Sequence, residues 1–286
     1  MVALASATIL AHFQKTSTYS PEYIAYAEAQ IAAKQEFAKA HMNLNRDLAI
    51  DEDVRAEMHS TIMADETLSS EERESQLNAI GFYTFQEAKP ATSSNAILFS
   101  NVSIQYDNFS GNWTIQNSIL WKDAQSRDAL SSTTWPTAGQ IYNIGSENYA
   151  GILLTDTYGD SSGLSVVSTL LSLKGYDNVI NENPNRFPGV TASHGVMFKY
   201  QDNLKVLTVD FWGSYTYQFN DNQISTWVTY NSNFANVHGN AVGAYGHTWD
   251  NTQLNSIGFG LDGSVSFGWA TSGNRWDVIS PTDEHF

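Results

Sequence analysis

The spacing of apolar positions changes once along this chain, near residue 95. Before that point apolar residues recur at helical spacing; beyond it they alternate with polar ones, as in strands. Ser20-Pro21-Glu22 supplies an N-cap hydroxyl, a proline at the first helical position and an acid in the first turn. It predicts a helix to about Met42, with Ile24, Ala27, Ile31 and Ala38 as its buried stripe. Asp51 or a neighbour opens a second helix carrying Val54, Met58 and Ile62. Ser69-x-x-Glu72 is a capping box for a third, with Leu77 and Ile80 inward and Gly81 closing it. These stripes are short and need something to lie against. The expected organisation is a helical segment over 1–88 packed on a sheet, a linker at 89–95 and an antiparallel β domain over 96–286.

Within the β part, Ile97 to Tyr106 and Trp113 to Trp121 read as a hairpin around the turn 107–112. Lys122 to Gln140 is a polar loop. Tyr149 to Thr155 and Leu164 to Leu173 are apolar enough for buried strands, and Asn181 to Gly189 is a long irregular loop. Val196, Phe198 and Tyr200 lead to an expected turn at Gln201-Asp202-Asn203, with the return through Leu207, Val209, Phe211, Tyr215, Tyr217 and Phe219. Asn220 to Gln223 then turns into Ile224, Val228 and Tyr230. In Ser256–Trp269, apolar residues alternate on both sides of Asp262-Gly263, a pair suited to a two-residue hairpin turn. Asp-Asn recurs at 107, 177, 202, 221 and 250, and both residues suit turns. About ten strands result, and an antiparallel β-sandwich or jelly-roll-like fold buries them most simply.

Composition narrows the function. Of 286 residues, 42% are hydrophobic, so a large core is available, yet only 15% are charged. The net charge of −16, from 14 basic against 30 acidic residues, comes without any Lys/Arg cluster. That argues against nucleic acid and against electrostatic binding to anionic membranes. The chain has no cysteine, which removes disulfides, thiolate zinc sites and cysteine nucleophiles together. This fits an extracellular or cell-surface life with Gram-positive-type secretion. Val2 to Phe13 is apolar without a basic flank and reads as a leader remnant, a first element, or a strand (Ala5 to Phe13) donated to a neighbour.

Catalytic constellations are weak. Gly159-Asp-Ser-Ser-Gly163 resembles the nucleophile loop of trypsin-like proteases and, in part, that of GDSL esterases. His12, His41 and His59 fall in the helical segment, however, and Asp283 stands two residues before His285 where the esterase pattern wants three. A serine without its base is inert, so a turn is the better reading. His194, His238 and His247 lack metal-ligand spacing, and Asp156 to Asp160 lacks the rhythm of a calcium loop. No metal or other cofactor is expected. Glycoside hydrolysis needs a carboxylate pair, and only Asp210 lies mid-strand. If 220–223 is a tight loop, Thr208, Asp210, Trp212, Ser214 and Thr216 share a sheet face with Ser225, Trp227 and Thr229. Two indoles among hydroxyls suit sugar rings, which makes Asp210, Trp212, Thr216 and Trp227 the candidate ligand-binding residues. The competing expectation buries both indoles under the helices. The chain thus reads as a secreted or surface-exposed, non-enzymatic binding protein whose partner is a glycan or another protein surface. Self-assembly through uncharged strand edges, a pore-forming or antagonistic toxin, and a secreted hydrolase are the alternatives.

Overall fold

The computed structural model describes residues 19–44, 50–65, 67–87, 96–99, 102–122, 136–182, 184–259, 264–270, 273–280 and 284–286. Val2 to Phe13, with its leader and donated-strand readings, lies outside them.

Three helices come first: α1 (Pro21–His41), α2 (Glu52–Ala64) and α3 (Ser70–Ala79). The strands follow as β1 (Phe82–Glu87), β2 (Ile97–Phe99), β3 (Ser103–Asp107), β4 (Trp113–Trp121) and β5 (Ile141–Gly159). Next come β6 (Val166–Lys174), β7 (Asn178–Asn181), β8 (Gly195–Val209), β9 (Tyr215–Phe219) and β10 (Gln223–Tyr230). The last are β11 (Val237–Thr248), β12 (Leu254–Phe259), β13 (Val265–Trp269), β14 (Arg275–Ile279) and β15 (Glu284–His285).

The fold is an antiparallel β-sandwich. One sheet runs β1-β3-β4-β10-β6-β7, with β2 also pairing β4; the other runs β14-β11-β5-β8-β9, with β15 also pairing β11. Between them lie Phe99, Ile115, Ile224 and Val228 from the first sheet and Ile152, Leu154, Phe198 and Tyr245 from the second, all fully buried. Each such side chain contributes roughly 1.5–3 kcal/mol of burial. The segment expected to be helical ends in strand β1, whose Phe82-Tyr-Thr-Phe85 run suits a pleated surface and pairs with β3.

The helix caps form as the residues dictate. Ser20 Oγ accepts from the Tyr23 N–H (3.2 Å), and Ser69 with Glu72 forms the reciprocal capping box. Gly81 closes α3 at φ 86°, a conformation suited to glycine. The buried face of α2 differs from the expected one. Val54 and Met58 are exposed, while Arg55 and His59 are buried with Ile62. Two partners explain the rotation: Asp107 receives the Arg55 guanidinium, and Gln105 Oε1 lies 2.7 Å from His59 Nε2. Likewise the fully buried Lys34 stands on the apolar face of α1. Its ammonium donates to the Val237 carbonyl and lies over the rings of Phe234 and Phe286 at 4.8 and 4.9 Å.

Two strand-level expectations change, and a third element pairs as expected. Asp202-Asn203 makes no turn; β8 runs straight through it, because Val196, Phe198, Tyr200, Asp202, Leu204 and Val206 keep one parity and are all buried. Asn220 to Asn222 does not fold β9 onto β10 but carries the chain between sheets, since β9 pairs β8 while β10 pairs β4 and β6. Finally, β12 pairs β13 with Ile257 opposite Phe267 and Phe259 opposite Val265. The turn expected at Asp262-Gly263 lies outside the described residues. The observed register puts the apolar residues of both strands on one side, where they cover Tyr149, Leu153, Met197 and Val242 on the outer face of the second sheet.

Candidate functional site

The four candidate ligand residues do not share a face. Asp210 and Trp212 lie in the turn between β8 and β9, Thr216 in β9, and Trp227 in β10 of the other sheet. Trp212 is 86% exposed, whereas Trp227 is 7% exposed. Asp210 Oδ1 accepts from the backbone N–H groups of Trp212 and Ser214, both at 2.8 Å, so the carboxylate shapes the turn. Thr216 Oγ1 lies 2.6 Å from Thr208 Oγ1. The cause of the separation is the crossover at 220–222, tied to β8 by Asn220 N–H on Asn203 O (3.1 Å) and to β4 by Trp121 N–H on Asn222 O (2.9 Å).

The residues singled out for catalysis or metals fall apart as well. Asp160 Oδ1 accepts from the Ser162 N–H and Oγ–H at 3.0 and 2.7 Å, making 159–163 a side-chain-closed turn. His194 is exposed and 2.8 Å from Thr191 Oγ1. His238 is buried against the Phe286 carbonyl, and His247 is buried elsewhere in β11. Among the described residues no group of His, Asp or Glu is arranged to hold a metal ion.

What the fold does bring together lies where β4, β11 and β14 meet. His247, Asn148 and Tyr200 stand side by side across β11, β5 and β8 on the inward face, with Asp202 next along β8. His247 Nδ1 is 3.1 Å from Asn148 Oδ1 and 3.9 Å from Asp202 Oδ2. The Tyr200 hydroxyl donates to Asp221 Oδ2 at 2.8 Å. Burial first, and the Asp221 charge second, push that phenol well above its ordinary pKa. Aromatic rings close over this polar row: Trp249 packs edge-on to His247 at 4.7 Å, Trp121 at 5.4 Å, and Trp276 lies 5.9 Å from Trp121.

Outside these rings is an open trough of about 590 Å³ lined by Trp249, Gly273, Asn274, Arg275, Trp276 and Asp277. Asp250 sets its shape. Its carboxylate accepts from Thr252 N–H (2.8 Å) on its own loop and from Asn274 N–H (2.7 Å) on the facing one. The Thr252 hydroxyl, then the Asn274 amide, holds its carboxyl below the usual range. A Cβ at Gly273 would meet Thr252 Oγ1 at 2.0 Å and the Asp250 carboxylate at 2.5 Å, so the two loops close only around glycine. The result is two indoles beside a guanidinium, an amide and a carboxylate, a surface that can stack on a ring face and hydrogen-bond its rim. Strand parity carried one sign of this region, since Asp202 shares its phase with Tyr200 and Leu204. The convergence of 249–252 with 273–277 had none, because it depends on β14 pairing with β11.

Compared with known proteins, the chain matches no family model and no curated protein sequence.

Proposed function

We propose that this chain is an extracellular, non-enzymatic binding protein that holds a neutral glycan in the Trp249–Trp276 trough. The observation that carries the reading is the pairing of two partly exposed indoles with Arg275 and Asn274 along one open trough. Sugar rings present apolar faces to indoles and hydroxyls to polar rims, and a shallow site at a sheet edge admits an extended chain. The acidic balance of −16 favours uncharged over anionic polymers. Lack of cysteine and the low charge content support an extracellular setting. The trough lining carries one carboxylate, that of Asp277, which accepts the Trp269 indole N–H at 3.0 Å; glycoside hydrolysis asks for two.

The test is retention on insoluble cell-wall glycan and chitin, comparing the parent chain with Arg275→Ala and Trp249→Ala. Arg275→Ala should release the protein while circular dichroism and melting temperature hold; Trp249→Ala should release it with its fold retained but a lower melting temperature, because that ring also covers His247. Retention undiminished in both folded variants rules the trough out.

A further inference from the structure

The β8–β9 turn is built to display two aromatic side chains. Phe211 and Trp212 are 93% and 86% exposed, the most exposed large apolar residues described. They are not floppy ends of a loop. Asp210 accepts two backbone N–H groups, Asp210 N–H donates to Ser214 O at 2.8 Å, and Gly213 takes φ 83°. The strands beneath have a small core of their own around Ile144, Leu204, Val206 and Phe219. Isolated exposed apolar residues are ordinary; an adjacent pair on a braced turn calls for a partner.

A receptor of matching chemistry stands at the other end of the same strand. Where β8 begins, the seam between the sheets opens into a cavity of about 210 Å³ walled by Leu164, Val166, Phe187 and Val196, with Arg186 in its lining. Ligand pockets for drug-sized molecules run to roughly 300–1,000 Å³, so this one is sized for a single ring. Arg186 is an exposed residue, and its guanidinium is steadied by Nη2 donating to the buried Thr169 Oγ1 at 3.2 Å. It offers a cation to the face of an incoming aromatic. Cavity and aromatic turn are separated by the length of β8, roughly 45 Å at strand rise. A molecule therefore cannot fill its own cavity.

We infer that copies of this chain associate head to tail, the Phe211–Trp212 turn of one seated in the Arg186 cavity of the next. The contact is heterologous, so each docked copy leaves one knob and one cavity open and the series extends rather than closes. Two aromatics bury about 150–250 Å² each, well below the roughly 1,000 Å² of a stable interface. Association is accordingly weak and concentration-dependent.

The experiment uses the full chain in sedimentation velocity over a wide concentration range. The parent should grow into a ladder of species with concentration. Phe211→Ser/Trp212→Ser, which touches only exposed positions, should stay monomeric, as should the cavity-filling Ala192→Trp. Mixed together, these two variants hold one intact cavity and one intact knob between them, and should form a one-to-one pair and stop there. A parent that remains monomeric throughout, or a double-serine variant that associates within twofold of the parent, overturns the inference. If Ala192→Trp misfolds, Arg186→Glu takes its place in the mixture. Binding of the monomeric parent to phosphatidylcholine vesicles, lost in the double-serine variant, would overturn it too, by giving the turn to a bilayer.

Discussion

Arg55 in α2 grips Asp107 at the end of β3 with two parallel hydrogen bonds, Nη1 to Oδ1 at 2.7 Å and Nη2 to Oδ2 at 2.9 Å. Both side chains are nearly buried, at 4% and 10% exposure. Asp107 also accepts from the Phe109 N–H and the Ser110 hydroxyl, so one carboxylate joins the helices to the first hairpin. Removing one partner of a buried pair costs about 3–5 kcal/mol because the other charge is stranded. Arg55→Leu should lower the urea midpoint accordingly, and Arg55→Leu with Asp107→Asn should cost less than the two single changes summed.

Lys34 gives stability an unusual dependence on pH. Burial brings its ammonium from 10.5 down to about 7. In the unfolded chain a lysine keeps its proton to about pH 10. Between these values the unfolded state binds the extra proton, so stability rises with pH; below about 7 both states are protonated and the gain is absent. Urea midpoints taken from about pH 7 to 9 should climb for the parent chain and stay nearly flat for Lys34→Met, which keeps the volume and has no proton to lose. Equal slopes in the two would show that another group is titrating.

The two tryptophans first paired from sequence should respond oppositely to truncation. Trp227 lies in the central strand β10 at 7% exposure, and Trp227→Ala should cost about 3–5 kcal/mol. Trp212→Ala should leave the melting temperature within about a degree or two, as exposed substitutions do. Thermal denaturation of the two variants side by side settles it.

Gly273 should tolerate no side chain. Its neighbours are the Asp250 carboxylate, which ties the two loops of the trough together, and the Thr252 hydroxyl, and overpacking costs about 1–3 kcal/mol. Gly273→Ala should weaken glycan retention together with stability. Gly139→Ala, where a Cβ meets nothing within 4 Å but the backbone sits at φ 83°, shows by contrast what backbone strain costs without a clash.

How far the chain could be read depended on how local each feature is. The caps at Ser20 and Ser69 need only a few neighbouring residues, and they formed as expected. The sandwich class followed from period-two alternation, which is equally local. The buried face of α2 was misplaced because an apolar-stripe rule passes over Arg55 and His59, whose burial depends on partners roughly fifty residues away in β3. Asp202 was taken for a turn residue because Asp-Asn favours turns in isolation; parity along β8 and the company of His247 overrode that preference. The proposed sheet face failed at one junction, 220–222, where a short polar segment can either turn back or change sheets. Only the pairing of β10 with both β4 and β6 distinguishes the two.

The bond from Lys34 to the Val237 carbonyl spans 203 positions of sequence, and this has a bearing on how the molecule is made. Synthesis delivers α1 long before its docking surface, since Phe234, Val237 and Phe286 all belong to the last fifth of the chain. Contacts of such separation close late, after loop entropy has been overcome. Until then the helix must wait in water, and a lysine in the middle of its apolar stripe keeps that face from sticking to unfinished strands. A nascent chain would thus be kept from misdocking at α1 until the strands around Phe234 and Val237 have been made.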